Sequence, residues 1–240
     1  MSPTAAPALL LLADGRFPAG GHAHSAGIEA AVADGRVVDV TTLSAYLEGR
    51  LRTAGLVEAA LAAATVRRVA GLEVDGRGPG LGETRRVLAD LDAEADARIP
   101  VLGLRAASRR LGRQLLRASG RCWPGPLYRP AAAVDERGLH VGVAWGVVGA
   151  SCGLSAREVA SLVVHHTTTT PAQAAVRLLG LDPFESAAAV AATAAVAVEV
   201  AEAAANAAEG PLDHLPADGT VLCDLAAERH ALMPARLFTT

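Results

Sequence analysis

The chain contains no lysine: all 22 basic residues are arginine. That absence removes several chemistries at once. No lysine is present to clasp phosphates in a P-loop, to form a Schiff base or to act as a general base. Aromatic residues make up only 3 % of the 240 positions, against 51 % hydrophobic. Any core must therefore be built from small and aliphatic side chains. The three cysteines, Cys122, Cys152 and Cys223, are far apart. They form neither a disulfide framework nor a CxxC metal pair, and they fit a reducing, cytoplasmic setting. Positive charge is not in excess either; the formal net charge is −3. A nucleic-acid partner would require a basic face, so none is expected. The start, Met1-Ser2-Pro3-Thr4, lacks the positive segment of a signal peptide. The most membrane-like stretch, Ser186 to Ala205, is mostly alanine and carries Glu199 and Glu202. Alanine transfers too weakly into lipid to insert alone. The stretch reads as a tightly packed helix, and no membrane partner is expected.

What is present is alanine, the strongest helix former, and a succession of helix starts and stops. They predict an all-α fold: one domain over residues 1–240, a helical bundle of about nine or ten helices. Leu9 to Ala13 is a short helix ending at Asp14-Gly15. Phe17 to Gly21 is a loop, because proline and glycine interrupt regular structure there. Helix resumes near His24 and stops at Asp34-Gly35. Asp39 or Thr41 caps the next helix, which places Leu43, Tyr46, Leu47 and Leu51 on one stripe. A further helix covers Val57 to Ala70. Residues 71–82 hold five glycines and a proline and predict a mobile loop.

Helix is expected again from Glu83 to Ala97, with a break at Pro100. The following helix carries Leu104, Ala107, Ser108, Leu111 and Leu115 on one face. Gly120 to Pro130 reads as a loop. His140 to Cys152 is apolar, with small residues Gly142, Gly146 and Gly149 that admit close packing. It reads as a buried helix, with a strand as the alternative. Ser155 and Glu158 match a capping box and open a helix to about His166, with Pro171 interrupting. Asp182-Pro183-Phe184-Glu185 opens another helix, to about Glu209. The last runs from Val221 to Leu232. Pro234 ends it and leaves a tail over residues 234–240.

Seven histidines raise a metal reading. In a glycine-rich loop His22 and His24 can both reach one soft cation. Alternatively, His24 packs on the following helix and His22 faces solvent. The adjacent pair His165 and His166 points apart on a helix. His140 and His230 are single, and packing or hydrogen bonding is the default for each. The acidic run Asp90, Asp92, Glu94 and Asp96 reads as a solvated helix face. No nucleophile elbow supports a Ser/His/Asp set, so no catalytic residue is assigned. Arg105, Arg109, Arg110, Arg113 and Arg117 recur at helical spacing. They form either a solvated ridge with local ion pairs or a docking face for an acidic partner. In the tail, Leu237 and Phe238 must be buried, on their own domain or on a second chain. Arg236 and Phe238 are residue types enriched at interface anchors.

The front motif, Phe17-Pro18-Ala19-Gly20-Gly21-His22-Ala23-His24-Ser25-Ala26-Gly27-Ile28-Glu29, resembles the opening pattern of the UreF family. Pro18, Gly20, Gly21, His24, Ser25, Gly27 and Glu29 match that pattern. Arg105 and Ser108 with Gly112, then His140 with Gly146, resemble two mid-chain segments of the family. Arg177-Leu178 is similar to a later Arg-Leu. His230 and Arg236-Leu237-Phe238 are similar to its closing segment. Departures stand at Asp182, Pro183 and Ala187, at Ala231 and Met233, and at His22, where the family has phenylalanine. The resemblance implies a non-catalytic homodimeric helper in urease maturation. It would bind a UreD/UreH-like accessory protein, recruit a UreG-like GTPase and assist nickel delivery to apo-urease. It would hold no cofactor of its own: GTP would sit on the partner, and the complex would handle nickel, with His24 a transit candidate. The residues implied for partner binding are Pro18, Gly20, Gly21, His24, His230, Arg236, Leu237 and Phe238. The other reading of the chain is a small helical metalloenzyme using His22 and His24.

Overall fold

A computed structural model describes residues 5–20, 24–70, 72, 80–231 and 238, the side chains of His230 and Ala231 excepted. Every regular element among the described residues is a helix, with no strand. In chain order the helices are α1 (Ala5–Ala13), α2 (Ile28–Ala33), α3 (Val40–Arg50), α4 (Leu56–Ala70), α5 (Leu81–Ala97), α6 (Leu102–Cys122), α7 (Tyr128–Ala132), α8 (Val141–Ser151), α9 (Ala156–Leu179), α10 (Pro183–Ala192), α11 (Ala194–Ala207) and α12 (Val221–Ala231). Gly21, His22, most of the glycine-rich segment 71–82, and Arg236 and Leu237 lie outside the described residues.

The core forms around α4. Ala59 to Ala64 are all buried, so neighbouring helices pack against α4 on nearly every side. Alanine permits that because its side chain sets the closest approach. On α8 the small residues serve the same end. A methyl group added at Gly146 would lie 2.3 Å from Thr65 Cβ and 2.6 Å from the Ala62 carbonyl oxygen. Only a hydrogen fits between α4 and α8 at that level. The apolar stretch at residues 140–152 is thus a buried helix rather than a strand. A second, smaller core gathers Ile28, Leu43, Leu47, Ala172 and Ala175 from α2, α3 and α9, with Val37 from the segment between α2 and α3.

Several local signals act as chemistry dictates. Asp39 accepts a hydrogen bond from the Thr42 N–H at 2.8 Å and caps α3. Ser155 and Glu158 form the capping box of α9. Other boundaries differ from the sequence expectation, for identifiable reasons. α3 and α4 are joined without a break by a π-helical turn, Leu51–Gly55. α6 runs past Gly120 to Cys122. α9 continues through Pro171 to Leu179. Pro171, Ala172, Ala174 and Ala175 are buried there, and that packing offsets the roughly 3 kcal/mol cost of an interior proline. The long helix expected from Asp182 is instead two helices, α10 and α11, bent by 48°. Thr193 at the bend is buried and donates its hydroxyl to the Val190 carbonyl at 2.7 Å. No single helix among the described residues is long and apolar enough to cross a membrane.

α6 packs on the chain entering α8 at Gly112, where a methyl group would sit 2.1 Å from the Leu139 carbonyl oxygen. Backbone cannot give way as a side chain can. Gly112→Ala should therefore destabilise the domain by about 2–4 kcal/mol. Thermal melting would read this as a fall of about 5–12 °C, whereas Gly103→Ala, in open space on the same helix, should change little.

Candidate functional site

Two polar centres hold the segments that the sequence singles out. The first joins α5, α6 and the entry to α8. Arg109 is buried, with its guanidinium 2.7 Å from Asp92, 3.0 Å from Asp96 and 2.8 Å from the Gly138 carbonyl. Asp92 also accepts the His140 N–H at 2.8 Å. A buried charge must be paired to be tolerated, so this pair fixes the loop before α8 onto α5 and α6. The acidic run on α5 is accordingly not a solvated face throughout. Asp92 is buried, and Asp96 binds Arg105, Arg109 and His140.

His140 sits between Ser108 and Asp96. Its Nε2 is 2.9 Å from Asp96 Oδ1, and its Nδ1 is 3.0 Å from Ser108 Oγ. A carboxylate can only accept, so Nε2 carries the proton and Nδ1 accepts from the Ser108 hydroxyl. The Ser108 oxygen in turn accepts the Val141 N–H at 3.1 Å. Serine, histidine and aspartate are thus aligned, a juxtaposition that no local motif announces. The serine oxygen is held by the backbone at the start of α8. The line of bonds orients that helix. Burial pushes the imidazole pKa down, against the Asp96 hydrogen bond that raises it. For Asp96 burial acts upward, but the bonds from His140 and Arg109 outweigh it and its pKa falls.

The second centre joins the end of the front motif to Phe238. Gly27 and Ala26 adopt left-handed backbone angles, φ 85° and 52°. The Tyr46 hydroxyl donates to the Ala26 carbonyl at 3.0 Å and holds that turn. Glu29, in the first turn of α2, is buried and accepts the Phe238 N–H at 3.2 Å. The Phe238 ring is buried in the second core, and the Arg177 guanidinium lies 4.5 Å from its centroid. Glu29, Arg177 and Phe238, far apart in sequence, therefore meet. Phe238 docks on its own domain.

Between the centres lies a cavity of about 300 Å³. His24 and Gly27 line it from the front motif, Arg50 and Glu58 from either side of the π-turn, and Ser108, His140, Trp145 and His166 from the core helices. The π-turn shifts the helical register between Arg50 and Glu58. Burial pushes the Glu58 carboxyl pKa up, partly countered by Arg50. Pro18 and Gly20 lie in the loop that follows α1. That loop is fixed from below. His166 Nε2 donates to the Leu12 carbonyl at 2.9 Å, and His165 Nε2 lies 3.2 Å from the Ala13 carbonyl oxygen. The two histidines thus satisfy the carboxyl end of α1, and His166 stacks on Trp145 at 4.9 Å.

Comparison with known proteins follows the same lines. A family model described as UreF matches residues 37–194. The chain is 41 % identical over 232 residues to a urease accessory protein UreF from Mycobacterium sp. (strain JLS), covering 97 % of both chains. It is 42 % identical over 233 residues to a urease accessory protein UreF from Mycolicibacterium vanbaalenii, again covering 97 % of both. A urease accessory protein UreF from Mycobacterium tuberculosis (strain ATCC 25618 / H37Rv) is 42 % identical over 184 residues, 76 % of this chain and 77 % of that one.

The buried histidines give the fold a pH dependence. Burial lowers the His166 pKa from 6.5 to about 4, and His140 shifts the same way. The unfolded chain therefore binds more protons between about pH 6.5 and 4, and stability falls as pH drops through that window. His166 alone should remove up to about 2 kcal/mol by pH 5. Urea denaturation at pH 7.5 and 5.0 checks this. The parent should lose stability on acidification, and His166→Asn should lose distinctly less.

Proposed function

The chain belongs to the UreF family of urease accessory proteins, and we propose that it is a non-catalytic scaffold for GTP-dependent insertion of nickel into apo-urease. In this reading it works in the cytoplasm as a homodimer. It binds a UreD/UreH-like accessory protein and recruits a UreG-like GTPase. The observation that carries the proposal is convergence. The family-like residues Glu29, Arg177 and Phe238 meet at one centre, and Ser108, Gly112 and His140 meet at the other. Both centres spend their polar groups on fixing backbone, as a protein does whose product is a shaped surface. The alignment of Ser108, His140 and Asp96 fits that use, because the serine oxygen already accepts the Val141 N–H.

Nickel is the cargo. His24 lines the cavity together with Phe17, Ala19, Ala26 and Gly27 of the front motif, and its imidazole suits a transition metal in passage. The lysine-free sequence offers no P-loop lysine, which supports placing the nucleotide chemistry on the partner. Surfaces around Pro18 and Gly20 and the closing segment at His230, Arg236 and Leu237 are the proposed contacts with partners, with the buried Phe238 anchoring that segment to the domain.

Reconstitution with purified apo-urease, the UreD-like and UreG-like proteins, nickel and GTP tests the proposal. His24→Ala should lower the urease activity obtained by at least tenfold, and His22→Ala should leave it within about twofold. Phe238→Ala should lower thermal stability by about 2–4 kcal/mol and weaken recruitment of the GTPase in a pull-down. Equal effects of the two histidine variants, or activation without this chain, would contradict the reading.

A further inference from the structure

The arginines of α6 divide in the folded chain. Arg105 and Arg109 turn inward and are taken up by Asp96 and Asp92. Arg113, Arg117 and Arg121 continue the same row, four residues apart, and are exposed. Among the described residues, none of these three forms an ion pair. Some exposed arginines elsewhere are paired, Arg52 with Glu199, Arg67 with Glu209 and Arg157 with Glu202; what distinguishes α6 is three arginines in one row that are unpaired among the described residues. Residues four apart on a helix are neighbours, and like charges at that spacing repel. The row from Arg113 to Arg121 covers about 12 Å at the rise of an α-helix, and its own chain supplies no compensating carboxylate among the described residues.

The row also has a telling position. Gln114 lies beside Arg113 and Arg117, and a methyl group added at Gly20 would be 2.6 Å from its Oε1. Past Arg121, the Trp123 ring is 6.0 Å from the Phe17 ring. The arginines therefore flank the front loop rather than a remote surface.

The geometry points to this row as a docking surface for an acidic helix of a protein partner, one whose carboxylates repeat every three or four residues. The inference rests on the scaffold reading above. Guanidinium groups pair carboxylates in a bidentate manner, and a facing helix presents them at matching spacing. A polyanion fits less well. The whole chain carries a net charge of −3, so an extended nucleic acid or lipid surface laid against the row would also be brought up against the acidic remainder of the chain.

The test uses the full chain. The probe is a synthetic alanine-based helical peptide of about 18 residues with glutamate at every fourth position. The same peptide with glutamine, a duplex DNA and vesicles containing phosphatidylglycerol are compared with it. The glutamate peptide should bind, weaken with added salt, and bind at least tenfold less tightly to Arg113→Glu/Arg117→Glu. That variant should keep the parent's circular dichroism and melting temperature. The milder Arg113→Gln/Arg117→Gln should show a smaller loss in the same direction. Equal peptide binding by parent and both variants would overturn the proposal, as would tighter binding of DNA or vesicles than of the glutamate peptide. Urease reconstitution separates this inference from the scaffold reading. If His24→Ala abolishes activation while the double reversal activates fully, the row is not a docking surface and the scaffold reading stands.

Discussion

The pair formed by Arg109 and Asp92 is the constraint on which the rest of the site depends. Both side chains are almost wholly withdrawn from water, 6 % exposed each, at 2.7 Å. Each would be costly to bury alone, by several kcal/mol, so neither can leave without the other. Around them the bonds are directional. Asp92 holds the His140 N–H, and Arg109 holds the Gly138 carbonyl. Ser108, one residue before Arg109, then receives the first N–H of α8. The entry of α8 is thereby aimed into α4, where Gly146 admits it. Removing the pair would free the start of the helix that forms one wall of the cavity.

The second centre works by different physics. Phe238 is held mainly by burial, worth about 2–3 kcal/mol for an aromatic side chain. A single N–H to Glu29 and the Arg177 guanidinium over the ring add direction. α2, α3 and α9 meet there, and Tyr46 from α3 also holds the left-handed turn of the front motif. Phe238 and the front motif are therefore coupled through a shared core. A change at either should be felt at the other, since packed interiors transmit small displacements.

Much of the architecture is legible in the sequence. Caps at Asp39, Ser155 and Asp182 mark helix starts because the chemistry is local. The glycines of α8 mark close packing because only a missing side chain permits it. What depends on tertiary contact is not legible in that way. Pro171 reads as a break, yet a buried surface carries the helix through it. Asp92 reads as solvated, yet a cation 17 positions later in sequence buries it. His140 reads only as a packed residue, since Ser108 and Asp96 are 32 and 44 positions away. The candidate site was partly visible through the family-like residues at both ends. That Glu29, Arg177 and Phe238 touch required the fold.

The most direct test of the account is native-state hydrogen exchange at the His140 amide, in the parent and in Asp92→Asn. Its N–H is held by a buried carboxylate rather than by a helix ladder. In the parent this amide should exchange only with global unfolding, at the same free energy as amides in the middle of α4. In Asp92→Asn it should exchange through a local opening several kcal/mol cheaper, with the α4 amides still slow. A parent in which the His140 amide already exchanges by local fluctuation, or a variant in which its protection is unchanged, would contradict the claim that the Arg109–Asp92 pair positions the site.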